Sequence, residues 1–419
     1  MATEYDVIPA LHSDTERIAN ALEILARQKD RGYTLYGFHL DTTESDSEAC
    51  VTYLEDAVNA MPAGMDFTHG VFDYGTWKNA FFMPKPCMLK SNGLVDYYLN
   101  ENDYTKKEDG SASDVANSAY DGNAMMEFPK IWMKVVPDTV ETGVSVYFAD
   151  KQVDGTFTDY PYINKNGKHV DKIYLPIYNG SVDTNSKLRS LSGVTNIANN
   201  ANTTTQIQQA QANGDGWYID DFSTRMMINF LHVLISKNFN SQSAFGNGLM
   251  SGSETSAKAY VTGTLDKSGL FFGYNDGTHG VKTFGMENWW GCFWHRTAGM
   301  ILKNGTPLYK MCWGQEDGST VDEYNQTGDG YIEFPYALPA ESTYVSTWSE
   351  DKNTMLPKAG GGSSSTYSGD YFYMNNSITA FALFGGSSSN GSSCGPWYLD
   401  VHSSAGSAYW SLGASPSFK

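Results

Sequence analysis

The chain has 419 residues, which is enough for two or three domains and a substantial hydrophobic core. Its formal net charge is −19 and no cluster of lysine or arginine interrupts that charge, which argues against nucleic acid and against an anionic membrane surface as partners. Aromatic residues make up 14% of the chain, charged residues only 18%, and 41 glycines punctuate it, a composition that favours many short strands joined by loops.

Five cysteines lie far apart, and no Cys-x-x-Cys pair occurs. This spacing argues against a structural zinc site and against a dense disulfide framework, and it favours buried free thiols. The N-terminus lacks a basic segment followed by an apolar one, so we expect no secretory signal. No run of 18 apolar residues occurs, so we expect a soluble protein, made in the cytoplasm, with no membrane insertion.

The N-terminal third is predicted to be a lobe of one helix and several strands. Apolar residues recur at helical spacing over 14–32, and this helix packs either on its own domain or on copies of itself. Residues 33–40 alternate as a strand does, and Ser91-Asn92-Gly93 predicts a hairpin turn before a strand at 95–99. The polar stretch 100–123 predicts a domain boundary.

A larger unit follows from residue 124. Strands are predicted over 125–136, 144–148 and 171–177, and the Asn/Thr/Gln-rich segment 191–214 is predicted to be an exposed excursion. The strongest helix pattern covers 220–237, with Asp220, Asp221 or Ser223 as its N-cap. The glycine- and serine-rich segment 358–369 is predicted to be a flexible loop.

Motifs for chemistry are scarce in this unit. Trp289, Trp290 and Trp294 favour a packed hydrophobic kernel over a sugar-stacking platform, and His232 and His295 are predicted to be structural. The acidic loops 317–323 and 266–276 have oxygen ligands for calcium but not the spacing of a calcium-binding loop. The sequence therefore predicts no cofactor and leaves a structural calcium ion open without a motif to support it.

The last stretch, residues 381–418, is rich in serine. Trp397, Leu399 and Val401 alternate with Tyr398, Asp400 and His402, which predicts a half-buried strand. We expect strands that carry small, interchangeable side chains on one exposed face. Ser, Gly, Asn and Tyr are typical of adaptable binding surfaces, but an ordinary polar sheet face fits the composition equally well.

Several stretches together resemble the C-type-lectin-like fold shared with formylglycine-generating enzymes. Residues 285–291 (GMENWWG), followed by Trp294, are similar to its central signature, and 383–386 with Gly395 and 412–414 are similar to its closing segment. Residues 216–218, the helix that follows them and 240–243 match the part before the signature, and 126–134 resembles its opening strand. The resemblance implies an α+β class: a C-type-lectin-like domain of short mixed strands with two helices, preceded by a small helix-plus-strand lobe.

Within that fold the chain is most similar to phage tail-tip receptor-binding proteins, whose variable members, of the major-tropism-determinant type, are diversified by retroelements. The resemblance implies a virion tail-tip adhesin, with residues 1–120 for attachment and oligomerisation, 121–419 for ligand binding, and a variable region at 381–418. It implies as partners a host-cell surface receptor, protein or glycan, other virion tail proteins, and further copies of the chain in a homotrimer. The implied ligand-binding residues are Ser387, Ser389, Asn390, Ser392, Ser393, Tyr398, Asp400, His402, Ser404, Ser407 and Tyr409.

The chain departs from the enzymes of this fold at several positions. Those enzymes bind copper with two nearby cysteines, whereas this chain has only Cys394 there, and Ser388 stands in place of a tryptophan. Cys292 and His295 stand where the signature has Asn and Glu. We therefore predict a protein that is not an enzyme. The alternatives are a structural tail protein without its own ligand, a formylglycine-generating-type oxidase, and a glycan hydrolase for which the sequence offers no carboxylate pair.

Overall fold

The computed structural model describes residues 19, 22, 26, 29–140, 142–195, 200–311, 327–351 and 354–419. Strands account for 35% of the protein and helices for 13%, so the protein is mostly β and the predicted α+β class is wrong. The helices do not form a layer of their own, because the longest one is enclosed by sheets. The described ranges also contain more than the two predicted helices.

The strands are short and follow one another through most of the chain. They are β1 Leu35–Asp41, β2 Val51–Glu55, β3 Gly64–Asp66, β4 Val71–Asp73, β5 Lys85–Lys90, β6 Val95–Asn100, β7 Asp103–Lys107, β8 Gly122–Pro129, β9 Trp132–Pro137, β10 Gly143–Ala149, β11 Lys172–Pro176, β12 Ser181–Val182, β13 Leu188–Arg189, β14 Trp217–Ile219, β15 Lys282–Thr283, β16 Met286–Glu287, β17 Trp294–Lys303, β18 Thr306–Tyr309, β19 Ile332–Glu333, β20 Thr343–Asp351, β21 Thr354–Gly360, β22 Tyr371–Met374, β23 Ala380–Gly385, β24 Gly395–Val401, β25 Leu412–Gly413 and β26 Pro416–Phe418. The α-helices with both ends described are α1 Thr203–Gln211, α2 Phe222–Ser236, α3 Ser241–Phe245 and α4 Glu254–Ala259, and residues 19, 22, 26 and 29–31 are helical as well.

A seven-stranded antiparallel sheet joins the two ends of the chain. Its order is β14-β26-β11-β8-β5-β6-β7, so β26 near the C-terminus lies between β14 and β11. The hairpin predicted at 91–93 is confirmed, since it connects β5 to β6. The division at residue 120 stays a prediction, although β5, before it, and β8, after it, hydrogen-bond along six registered residue pairs.

A nine-stranded sheet carries the C-terminal part of the chain. Its order is β19-β18-β17-β23-β24-β22-β20-β21, with β25 alongside β17. Most neighbours are antiparallel, but β22 and β24 run parallel, as do β17 and β25. Strand β23, which follows β22 in the chain, therefore lies on the far side of β24. Strands β20, β22 and β24 are neighbours in the sheet. A separate four-stranded sheet has the order β2-β1-β10-β9.

Helix α2 lies at the centre of the molecule. All 15 of its residues are buried, and the Asp221 carboxylate caps its start by accepting from the backbone N–H of Thr224 at 3.1 Å. Phe230 packs against Phe38 of the four-stranded sheet and Trp397 of the nine-stranded sheet, with ring centroids 6.3 and 5.2 Å away. The predicted helix over 220–237 is confirmed. It packs in a core between the four-stranded and the nine-stranded sheet.

Other predictions have mixed outcomes. Strands at 144–148 and 171–177 are confirmed as β10 and β11, whereas 125–136 forms two strands, β8 and β9. The predicted exposed excursion at 191–214 is wrong, because it contains α1 with Gln206 and Ile207 fully buried. Most of the helix predicted over 14–32, and all of the acidic loop 317–323, lie outside the described residues. Across the described ranges no helix is long and apolar enough to cross a membrane.

The tryptophan kernel and the two structural histidines are confirmed. Trp289, Trp290 and Trp294 are 4%, 0% and 5% exposed. The His232 ring lies among Phe245, Phe284 and Trp290, and burial lowers its pKa to about 3. His295 is buried too, with its Nε2 2.7 Å from the backbone oxygen of Asn288.

Candidate ligand-binding surface

Three adjacent strands of the nine-stranded sheet present tyrosines on one face. Tyr344 of β20 pairs with Tyr371 of β22, and Tyr373 of β22 pairs with Asp400 of β24. Because side chains alternate along a strand, residues two apart share a face, and registered partners share it as well. We call this set the tyrosine face; its members are Tyr344, Tyr371, Tyr373, Tyr398, Asp400 and His402.

The opposite face of the same strands is fixed in the core. Phe372, Trp397, Leu399 and Val401 are each at most 1% exposed and belong to the cluster built around α2. A shift of one residue in register would exchange these apolar side chains with the tyrosine face, so the core fixes which side chains point outward. The tyrosine face is therefore carried by a rigid scaffold.

Aromatic edges connect the tyrosine face from strand to strand. Ring centroids are 5.0 Å apart between Tyr344 and Tyr371, 5.8 Å between Tyr371 and Tyr398, and 4.4 Å between Tyr398 and Trp294, each pair close to edge-on. Burial increases along this ladder, from the half-buried Tyr344 and Tyr371 to Tyr398 at 3% exposure. The outer tyrosines are accessible, and the inner ones hold them in place.

Residues 387–393, the serine loop, border the Tyr344 end of the face. The Tyr344 hydroxyl lies 3.0 Å from the Ser392 Oγ and accepts from the Ser393 Oγ at 3.4 Å. The loop backbone is anchored from behind, since the Gly391 N–H donates to the Met250 carbonyl at 2.9 Å and the Gln242 side chain donates to the Ser392 carbonyl at 3.3 Å. Small polar side chains are thus displayed on a fixed loop beside the tyrosines.

The structure distributes the eleven predicted ligand-binding residues unequally. Ser389, Ser392 and His402 are exposed, and Asn390 and Ser393 are half-buried; all five lie on the tyrosine face or on the serine loop. Ser387, Tyr398 and Asp400 are buried, at 1%, 3% and 5% exposure. The expectation that serines occupy an exposed strand face is wrong, because β24 is buried on both faces and the serines lie in the loops at its ends.

The other three predicted residues form a separate group between β24 and β25. Ser404 and Ser407 contact each other through their hydroxyls at 3.4 Å, and Tyr409 is 58% exposed. The buried Arg296 guanidinium donates to the Ser407 carbonyl at 3.1 Å, and the Thr203 N–H donates to the Ala405 carbonyl at 3.0 Å. These bonds tie the segment to β17 and α1 rather than to the tyrosine face.

Asp400 has an unusual electrostatic setting within the face. Burial raises the pKa of its carboxyl to about 7, and a hydrogen bond from the backbone N–H of His402, at 2.6 Å, opposes that shift only partly. A buried carboxyl with a raised pKa beside exposed polar groups is a common feature of functional sites.

The lone thiol beside the serine loop is poorly suited to chemistry. Cys394 is fully buried, and its Sγ donates to the Ser387 carbonyl at 3.3 Å. Burial, and secondarily the Asp370 carboxyl, raise the pKa of this thiol well above its usual value. A thiol that stays protonated is a weak nucleophile and a weak metal ligand. Within the described ranges, no group of three or more His, Cys, Asp or Glu side chains converges as a metal site would require.

A second candidate is a cleft of about 460 Å³. Most of its walls are formed by residues within 78–86 and 99–108, which are distant in sequence from the serine loop. The Glu127 carboxylate in its wall accepts from the Tyr98 hydroxyl at 3.1 Å, from the Tyr174 hydroxyl at 3.0 Å and from the Lys172 ammonium at 2.7 Å. These donors occupy the lone pairs of the carboxylate. Glu127 therefore ties β6, β8 and β11 together, and the cleft is a weaker candidate than the tyrosine face.

Sequence reasoning missed Tyr344, Tyr371 and Tyr373. The alternation Tyr371-Phe372-Tyr373 was a signal for a strand with two outward tyrosines. The residues of its parallel partner β24 lie 27 positions further along the chain, so the local sequence does not reveal the pairing. No family model matches the chain, and no curated protein matches it. The resemblance to phage tail-tip proteins therefore stays a prediction from the motifs quoted above.

Proposed function

We propose that this protein is a phage tail-tip adhesin that binds a host-cell surface receptor through the tyrosine face and the serine loop. The observation that carries the proposal is the display of Tyr373 and His402 on strands whose other face is packed in the core, bordered by the serine and asparagine side chains of the serine loop. Tyrosine offers a large amphipathic contact area at low entropic cost, and serine and asparagine adapt their hydrogen bonds to many partners. Binding then needs no bond to be made or broken.

The motif resemblance supports the biological setting of this proposal. From it we infer a location on the virion and assembly with other tail proteins as a homotrimer. A face of this modest size binds weakly on its own, and several linked copies raise the net strength by about 10² to 10⁴ when they engage together. Diversification of the serine loop would change the contacts while leaving the anchoring bonds to residues 242 and 250 unchanged.

Binding of labelled protein to a panel of bacterial strains, measured by flow cytometry, tests the proposal. Tyr373→Ala removes an exposed ring at the centre of the face, and we expect it to weaken binding to a responsive strain at least about tenfold, as loss of an interface tyrosine commonly does. Tyr274→Ala is the matched control, because Tyr274 is 40% exposed and Tyr373 is 39% exposed.

The proposal fails at this surface if Tyr373→Ala and the control bind alike. If wild-type protein assembles into tails but binds no strain that those phages infect, the structural-tail-protein alternative is favoured instead.

A further inference from the structure

Asp400 is a buried acid without a basic partner in the described part of the chain. It lies on the middle strand of the face, opposite Tyr373 on one side and Leu383 on the other. The hydrogen bond from the backbone N–H of His402 is its one close polar contact among the described residues, and no lysine, arginine or histidine there forms an ion pair with it. A carboxylate held out of water in this way has unused capacity to accept.

Two aromatic rings flank this acid at the surface. The rings of Tyr373 and His402 lie 4.9 Å apart at 41°, and both residues are exposed. The face of a tyrosine ring attracts ammonium and guanidinium groups, and the attraction grows where water is excluded. An exposed ring pair on the residues next to a carboxylate without an ion-pair partner is thus a complementary setting for one cation.

We propose that Tyr373, His402 and Asp400 seat a basic side chain, lysine or arginine, of a protein receptor. This inference rests on the proposed function and narrows its ligand to a protein with an exposed basic residue. The net charge of −19 favours approach of such a partner over long range. A docked cation also favours the ionised form of the Asp400 carboxyl, whose pKa burial has raised to about 7.

The surface offers an internal control with the same three residue types. Tyr274 and His279 also lie ring to ring, at 4.4 Å, beside Asp276. There, however, the Asp276 carboxylate already bonds the His279 ring nitrogen at 2.7 Å, and both groups are well exposed. This second triad is internally satisfied, and we expect it to show no cation selectivity.

The experiment uses short capped peptides as probes. The peptide Gly-Arg-Gly and its neutral analogue with citrulline in place of arginine are titrated into full-length protein labelled in its tyrosine and histidine rings. We expect the arginine peptide, and the matching lysine peptide, to shift the Tyr373 and His402 ring signals at millimolar concentration, and citrulline to leave them unchanged. Asp400→Asn should weaken the response at least tenfold, and Asp276→Asn should not change it.

Two outcomes would overturn the inference. One is an equal response to the arginine and the citrulline peptides. The other is a response to tetramethylammonium from a protein that responds to neither the arginine nor the lysine peptide. Whole-cell binding separates the two proposals. If Asp400→Asn binds cells as wild type does, the cation site is wrong and the adhesin proposal stands. If the peptide binds and no cell does, the adhesin proposal fails and the cation site stands. Circular dichroism of Asp400→Asn shows that a lost response is not a lost fold.

Discussion

At the scale of single residues, burial of an acid with no cation beside it has a cost to stability. The Asp400 carboxyl ionises near pH 3.8 in the unfolded chain, whereas in the folded protein its pKa is raised to about 7, chiefly by burial. Between these values the folded protein holds a proton that the unfolded chain has released, so this group makes the protein less stable as pH rises. The titratable groups that face it are Tyr371 and Tyr373 of β22 and Tyr398 and His402 of its own chain segment.

We therefore predict that Asp400→Asn stabilises the protein more at pH 7.5 than at pH 4.5. Between these two pH values the raised pKa corresponds to a change on the order of 3 kcal/mol in the stability difference between variant and wild type. Urea unfolding at the two pH values measures it. Asp109→Asn is the control: Asp109 lies in an exposed turn, where a hydrogen bond from Ser111 lowers its pKa, so that variant should gain nothing with rising pH. An Asp400→Asn difference that is constant with pH would contradict the argument.

At the scale of elements, one carboxylate joins the central helix to the C-terminal strand. Asp221 caps α2, and its other oxygen lies 2.6 Å from the ammonium of Lys419, a pair that is almost completely buried. Lys419 follows β26, so the pair connects α2, which the four- and nine-stranded sheets cover, to the second strand of the seven-stranded sheet.

Substitutions of Asp221 separate its two roles. Asp221→Asn keeps an oxygen for capping but removes the charge beside Lys419, and we expect it to cost about 3 kcal/mol, as breaking a buried ion pair does. Asp221→Ala removes the cap as well and should cost about 1 kcal/mol more. Thermal unfolding of the wild-type, Asp221→Asn and Asp221→Ala proteins gives the order of their stabilities. If asparagine is as stable as aspartate, the ion pair contributes nothing.

The same elements show what local sequence can predict. Helix α2 was predictable because its apolar stripe and its cap both lie within 18 residues. The pairing of β22 with β24 was not, because parallel strands depend on contacts between distant segments. Of the serines in 387–393, Ser389 and Ser392 are exposed, but their place in a loop depends on the anchors at Gln242 and Met250, far away in sequence. Burial of Asp400 depends in the same way on neighbouring strands.

At the scale of the whole molecule, the hydrophobic core contains residues from both sides of the predicted boundary at residue 120. One hydrophobic cluster runs from Phe38 to Val401 and takes in Trp77 and Met88 from before the boundary. Strand β5 pairs with β8 along six residues, so one of its two edges is completed by a strand from beyond residue 120. The N-terminal part is thus completed by the rest of the chain.

We predict that a fragment of residues 1–120 does not fold alone. It would expose the apolar side chains that now pack on α2, together with the edge of β5, and an exposed strand edge promotes aggregation. Circular dichroism and proton NMR of the purified fragment measure this, with the full-length chain as the control. Dispersed amide signals from the isolated fragment would contradict the prediction and would support a lobe that folds apart from residues 121–419. A collapsed or aggregated fragment would instead mean that residues 1–120 fold only as part of the core that they share with the rest of the chain.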